Sequence, residues 1–321
     1  MDTSLAREFG HRLASASSVV IGSHVIPDGD ALGSSLAVSL YLDTIGVKNE
    51  VLNHNLPSRN LQFLPGIEKL KQTGTAEFYD LAVMVDLDPL DRLGSIAPYF
   101  ENCSNLVVVD HHIPNKSPGD LRIIDTKASA TAAILTKIFV EIGAEITPAM
   151  ATCLLTGIVT DTGSFRYRNT NPESMSLSAL LLERGADINL ISEEVYQRNT
   201  LGATQLYGHM LDTMRLANDD QLAMGILRFE DYQRTGATDE DAEEFGNQLL
   251  FIDGVQIAAI LRESIPGKVR CSIRSREGID VATVARGFGG GGRVTAAGCT
   301  FEKPVPEVEE ILMKTLGALL I

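Results

Sequence analysis

Leu81-Ala-Val-Met-Val-Asp86 and Leu106-Val-Val-Val-Asp110-His111-His112 decide the fold. Each is an unbroken apolar run that stops at an acid. Such a run suits a strand buried on both faces of a parallel sheet, whereas a sheet with one wet face would alternate apolar with polar. Outward from these, Val19-Val-Ile-Gly-Ser23 reads as a strand of the same kind, and Val47–Leu52 and Leu121–Ile124 as further strands. Helical patterns lie between them. Leu32 to Ile45 has apolar residues at 32, 36, 40 and 45, Ala130 to Ile142 reads as a second helix, and a third starts at Thr147-Pro148. There the Thr caps and the Pro occupies the first turn. Strands alternating with helices predict an α/β fold, a parallel sheet with helices on both faces.

The second half reads differently. Thr170-Asn-Pro-Glu173 has capping-box spacing and opens a helix to about Arg184, closed by Gly185. A helical stretch follows from Leu190 to Arg215. After Asn218, Leu222–Phe229, Val255–Leu261 and Val269–Ile273 read as strands, and Asp239–Leu250 as a helix. The expected layout is a first domain over 1–187, a helical connector over 188–207 and a smaller α/β domain over 208–321. The length of 321 residues allows two cores, at roughly 100–200 residues per domain.

A net charge of −15 argues against a protein that grips long duplexes, which relies on many Lys and Arg. It leaves room for a small anionic substrate, because bound divalent cations supply local positive charge. No apolar run approaches the roughly 20 residues of a membrane span, and Met1 to His11 lacks an apolar signal core. Cys103, Cys153, Cys271 and Cys299 form no CxxC pair. They read as small buried thiols in a reducing compartment, so a cytoplasmic protein without a membrane partner is expected.

The acids and histidines fall in a pattern. His24, Asp28 and Asp30 follow the first strand, Asp86 ends another, Asp110-His111-His112 ends a third, and Asp161 closes a helical run. In parallel α/β sheets ligands bind beyond the carboxyl ends of the strands, so these groups gather on one edge. Each taken singly has a bland reading: Asp28 or Asp30 as a helix cap, the His pair as solvated. Together they favour a metal site. A lone buried carboxylate is costly and several raise one another's pKa, and divalent cations remove both penalties. Mixed His/Asp donors suit Mn²⁺, Fe²⁺, Co²⁺ or Zn²⁺ better than Mg²⁺ or Ca²⁺. Six or so ligands are too many for one catalytic ion and suit two ions sharing a carboxylate.

The second domain carries Arg286-Gly-Phe-Gly-Gly-Gly-Gly-Arg-Val-Thr-Ala-Ala-Gly298. Gly289 to Gly292 allow positive φ and a nest of N–H groups for an anion. A glycine run alone is more often a flexible turn. Here Arg270, Arg274, Arg276, Arg286 and Arg293 surround it, opposed only by Glu277 and Asp280. Arginine forks match phosphate oxygens, although Arg276 beside Glu277 reads as a surface residue.

These motifs resemble the DHH phosphoesterase family, named for an Asp-His-His such as Asp110-His111-His112, and within it the nanoRNase and pAp phosphatase branch. The resemblance covers nearly the whole chain. It implies a di-manganese centre in which His24, Asp28 and Asp86 hold one ion and Asp30, Asp86, His111 and Asp161 the other, with Asp86 bridging. His112 would face the substrate phosphate and assist the leaving group, and Asp110 would orient an imidazole. Substrate would be held by Arg274-Ser275 and by Gly290, Gly291 and Gly292, with Arg293 standing where the family has His. The implied reaction is hydrolysis of short oligoribonucleotides to mononucleotides, or of 3′-phosphoadenosine 5′-phosphate to AMP, in a homodimer. A stand-alone cyclic or linear dinucleotide phosphodiesterase is the nearest alternative. A nucleotide-binding protein that has lost catalysis is the alternative of another class, and Arg293 is its only support.

Overall fold

The computed structural model describes residues 2–87, 89–103, 105–113 and 119–320. The chain divides after Arg198 into two compact units. The first contains α1 (Thr3–Ser15), β1 (Ser18–Gly22), α2 (Gly29–Thr44), β2 (Lys48–Leu52), β3 (Leu70–Lys71), β4 (Leu81–Val85), α3 (Ala97–Glu101), β5 (Leu106–Asp110), β6 (Leu121–Ile124), α4 (Thr131–Glu141), α5 (Pro148–Asp161), α6 (Pro172–Glu183) and α7 (Ile188–Ser192). Its strands form a parallel sheet in the order β3-β2-β1-β4-β5-β6. From β1 the chain travels outward through β2 and β3, then returns to place β4 on the other side of β1. The strand order therefore reverses between β1 and β4, where crossovers diverge and leave a crevice at the carboxyl ends.

Both faces of the central strands are buried, as their continuous apolar runs require. Val19, Ile21, Val83, Val85, Val107 and Val109 pack with α1, α2, α4 and α5. The alternate residues Val20, Ala82, Met84 and Val108 face the other way, onto Leu93, Ile96 and Phe100. The second layer is thinner than the sequence suggested: a 3₁₀ segment over Leu90–Ile96 and the short α3 cover it.

Helix α2 approaches α5 closely because glycines face the contact. A Cβ at residue 33 would lie 2.3 Å from the Cys153 carbonyl oxygen, and one at 157 would lie 2.6 Å from Asp30 Oδ1. Backbone cannot rotate away as a side chain can. Gly33→Ala is therefore expected to destabilise by about 1–3 kcal/mol through overpacking, despite the higher helix propensity of Ala. Thermal melting checks this against Gly208→Ala, an exposed helical position with nothing within 4 Å, which should melt no lower than the parent.

The second unit contains α8 (Leu201–Thr213), β7 (Arg215–Ala217), β8 (Leu222–Leu227), α9 (Phe229–Thr235), α10 (Phe245–Leu249), β9 (Ile257–Ile265), β10 (Lys268–Ser275), α11 (Val281–Gly287), β11 (Gly291–Arg293), β12 (Ala296–Phe301) and α12 (Val305–Gly317). Its sheet runs β11-β12-β10-β9-β8-β7, antiparallel except for the β8–β9 pair. Along β10 the side chains alternate. Val269, Cys271 and Ile273 enter a core with α11 and α12, while Arg270, Ser272 and Arg274 are half-buried between them. No helix among the described residues is long and apolar enough to cross a membrane.

Several local expectations shift. The capping box belongs to Asn171 and Ser174, one residue beyond the Thr170–Glu173 pair. The stretch from 190 to 215 is broken by a π-helical turn at Glu193–Gln197 before α8 begins. Asp239 to Leu250 makes only a 3₁₀ turn at Glu240–Ala242 and the five-residue α10. Its acids repel one another at helical spacing, and Asp239 is drawn instead to Arg262 and Arg270 on the sheet.

Candidate metal centre

The carboxyl ends of β1, β4 and β5 deliver the acids and imidazoles to the crevice. His24 follows β1. Its Nδ1 donates to the Val25 carbonyl at 2.8 Å, which directs Nε2 at Asp86 Oδ2, 3.3 Å away, and at Asp28 Oδ2, 3.8 Å away. Buried Asn53 braces this loop by donating to the carbonyls of Ser23 and His24. Asp28 does two things. Its Oδ1 caps α2 by accepting from the N–H groups of Asp30 and Ala31, both at 3.0 Å, and its Oδ2 is the atom facing His24. Capping therefore leaves Oδ2 turned toward His24.

Asp86 sits one residue beyond β4 with φ of +55°. This left-handed conformation is uncommon outside glycine, and Asp is among the few residues that tolerate it. Asp86 is 2 % exposed and accepts from Thr131 Oγ1 at 3.1 Å. Burial first, then the neighbouring Asp30 and Asp28, push its carboxyl well above the usual range.

Asp30, also buried, accepts from the N–H groups of Thr131 at 2.6 Å and Ala132 at 2.9 Å. Helix α4 has Ala130 at its N-cap and no cap of its own, so Asp30 caps it from about a hundred residues away in sequence. Burial, followed by Asp28, raises its carboxyl as well, against the pull of His111.

His111 mirrors His24. Nδ1 points to the Ala128 carbonyl at 3.3 Å, and Nε2 faces Asp161 Oδ2 at 3.5 Å and Asp86 Oδ1 at 3.6 Å. Burial would lower this imidazole, but Asp30, Asp161 and Asp86 together raise it. Asp110 Oδ1 accepts from His112 Nδ1 at 2.7 Å and from the N–H groups of His111 and His112, so the imidazole that Asp110 orients is His112. Asp161 ends α5, and its backbone carbonyl accepts from Asn169 Nδ2 at 3.0 Å.

The donor atoms fall into overlapping groups within 4.8 Å: His24, Asp28 and Asp86; Asp30, His111 and Asp161; and Asp86, His111 and His112. The residues fit metal. His111 Nε2 is buried without a hydrogen-bond partner, and every ion-pair partner found for Asp86 among the described residues is an imidazole. Buried carboxylates facing imidazole nitrogens form a donor set for borderline divalent cations.

In the second unit, Arg262, Arg270, Cys271, Ser272, Gly289, Gly290, Gly298, Cys299 and Thr300 line a cavity of about 320 Å³. Arg262 is 3 % exposed. It donates to the Asp239 carbonyl and, through Nη2, to Ser272 Oγ at 3.2 Å, while its Nε has no partner. Of the arginines singled out from sequence, Arg270 reaches this cavity. Arg274 Nε donates to Asn247, and the Ser275 hydroxyl donates to the Ile279 carbonyl at 2.8 Å. Gly291, Gly292 and Arg293 form the edge strand β11. Arg262 and Ser272 were not singled out from sequence. The strict alternation of Lys268 to Ser275 was the available signal, since it puts 270 and 272 on one side and 275 on the other.

Crevice, donors and glycine-rich sheet edge together describe a phosphoesterase of two α/β units. Residues 18–158 match the DHH family N-terminal domain and residues 222–320 the DHHA1 domain, and the chain belongs to the DHH family. It is similar to the bifunctional oligoribonuclease and PAP phosphatase NrnA of Thermus thermophilus, with 32% identity over 88% of this chain and 84% of that one. The Bacillus subtilis protein of the same name is 24% identical over 88% of this chain and 89% of its own length. A crystal structure of an exopolyphosphatase-related protein from Bacteroides fragilis superposes with a TM-score of 0.91 and 26% identity, covering 99% of this chain and 97% of that one.

Proposed function

We propose that this chain hydrolyses short oligoribonucleotides to mononucleotides and 3′-phosphoadenosine 5′-phosphate to AMP, with two Mn²⁺ ions as cofactor. One observation carries the reading: seven His and Asp donors converge in three groups, two sharing Asp86 and two sharing His111. His24, Asp28 and Asp86 would hold one ion, and Asp30, Asp86, His111 and Asp161 the other. Bound there, the ions would polarise the phosphoryl oxygens and lower the pKa of a water nucleophile. The chain's own groups do the rest. Val25 and Ala128 carbonyls fix the imidazoles of His24 and His111 by accepting hydrogen bonds from their Nδ1–H groups. Asp110 holds the His112 proton on Nδ1, which sets the ring for work at the leaving oxygen. Arg262, Arg270, Ser272 and the backbone of Gly289 and Gly290 would supply an anion site suited to a phosphate. The relatives named oligoribonuclease and PAP phosphatase, matched over most of the chain, support this substrate class.

The test is a panel assayed with Mn²⁺: a dinucleotide, a five-residue oligoribonucleotide, the 3′,5′-bisphosphate, linear and cyclic dinucleotides, and pyrophosphate. Mononucleotide release from the short RNAs and phosphate release from the bisphosphate are expected, with pyrophosphate inert. Binding of these nucleotides without any product would end the catalytic reading.

A further inference from the structure

Cys271 on β10 and Cys299 on β12 are direct partners across the antiparallel ladder. Ser275 N–H donates to the Thr295 carbonyl at 2.9 Å. Hydrogen-bonded rungs recur every second residue, so 271 and 299 also form one. Cα atoms on such a rung lie about 5.5 Å apart, inside the roughly 4.4–6.8 Å that a disulfide spans. Both side chains enter the same core face. The two thiols act on each other: Cys299 pushes the Cys271 thiol up, and Cys271 pulls the Cys299 thiol down.

The pair is nearly buried, with Cys271 3 % and Cys299 6 % exposed, and it lies at the border of open space. Both cysteines line the cavity that Arg262, Arg270 and Gly290 share. A Cβ at Gly290 would lie 2.7 Å from Cys299 Cβ, and Gly291 pairs with Gly298 beside it. The glycine-rich segment thus rests on Cys299, and Cys271 stands between Arg270 and Ser272 on β10. The other two cysteines lack this setting. Cys153 is buried, with a thiol that burial pushes far up, and the Cys103 thiol donates to backbone carbonyls.

We propose that Cys271 and Cys299 are an oxidation site, a cross-strand dithiol that a peroxide converts reversibly to a disulfide, weakening nucleotide binding at the glycine-rich segment above it. The effect on binding rests on the function proposed above, and formation of the bond does not. The Cys299 thiolate attacks a peroxide oxygen and breaks the O–O bond, giving a sulfenic acid and, with hydrogen peroxide, water. The Cys271 sulfur then attacks the sulfenic sulfur and expels its hydroxyl as a second water. Two electrons pass from the thiols to the peroxide, and the two thiol protons end on the waters. A disulfide on a hydrogen-bonded rung draws the strands from their ladder geometry. Such strained bonds are the readily reduced ones.

The experiment treats the reduced full chain with a small molar excess of hydrogen peroxide and follows intact mass, disulfide peptide mapping and binding of 3′-phosphoadenosine 5′-phosphate. A 271–299 disulfide is expected before Cys103 or Cys153 is modified, reversed by dithiothreitol and absent from C299S. Affinity should fall about tenfold, the effect of misplacing one charge-assisted hydrogen bond, and recover on reduction. Cys271 and Cys299 still unlinked after Cys103 has been oxidised would overturn the site. A mapped 271–299 disulfide with unchanged affinity would overturn its effect on binding. A reduced protein that binds no nucleotide would instead refute the function, and mass and mapping would still decide the disulfide.

Discussion

Asp86→Asn should lower turnover by about a thousandfold, a loss of ~4 kcal/mol in transition-state stabilisation, yet leave the metal-free protein at least as stable as the parent. The two halves have the same cause. Asp86 is buried among Asp30, Asp28 and Asp161, and its charge is costly there. An amide of the same shape removes that cost. Asn tolerates the left-handed backbone at this position, and its carbonyl oxygen can still accept from Thr131 Oγ1. The shared donor is lost, so Mn²⁺ should raise the melting temperature of the parent strongly and that of the variant little. Melting curves with chelator and with Mn²⁺ should therefore rank the two proteins in opposite orders. A variant that keeps a tenth of the activity, or the parental Mn²⁺ shift, would remove Asp86 from its bridging position.

The second large effect lies in the C-terminal unit. Arg270→Gln should raise KM for short oligoribonucleotides about 10- to 100-fold and change kcat by only a few-fold, because one charge-assisted contact worth ~1.5–3 kcal/mol is made equally before and during the reaction. Folding should survive, since Asp239, the ion-pair partner of Arg270, keeps Arg262 at 3.4 Å. Arg276→Gln is the contrasting variant. That guanidinium donates to the carbonyls of Val255 and Leu250, so its loss should lower the melting temperature and leave KM alone. Equal KM values for Arg270→Gln and the parent would take Arg270 out of substrate binding.

The parallel sheet was legible because burial on both faces writes itself as unbroken apolar runs at 81–85 and 106–109. The gathering of the acids and histidines was legible because each stands where a strand or helix begins or ends. What stayed hidden is non-local. Nothing near Ala130 in the chain says that Asp30 caps α4, and no local pattern at Asp28 separates a cap from a ligand, since one oxygen caps α2 while the other faces His24. Helix α1 (Thr3–Ser15) escapes a reading that weighs Met1–His11 only as a signal segment. The alternation of β10 puts Arg270, Ser272 and Arg274 on one face, and of these Arg270 and Ser272, with Arg262 from the next strand, line the cavity.

The capping of α4 by Asp30 bears on ion selectivity. Both carboxylate oxygens are already anchored by backbone amides, so this donor cannot swing outward to follow a larger sphere without uncapping the helix. Calcium needs oxygens at about 2.3–2.6 Å in a compliant shell, and an immobile oxygen is a poor member of one. If Asp30 holds an ion as proposed, discrimination by ionic radius would be built into the helix terminus, ahead of any preference set by the imidazoles.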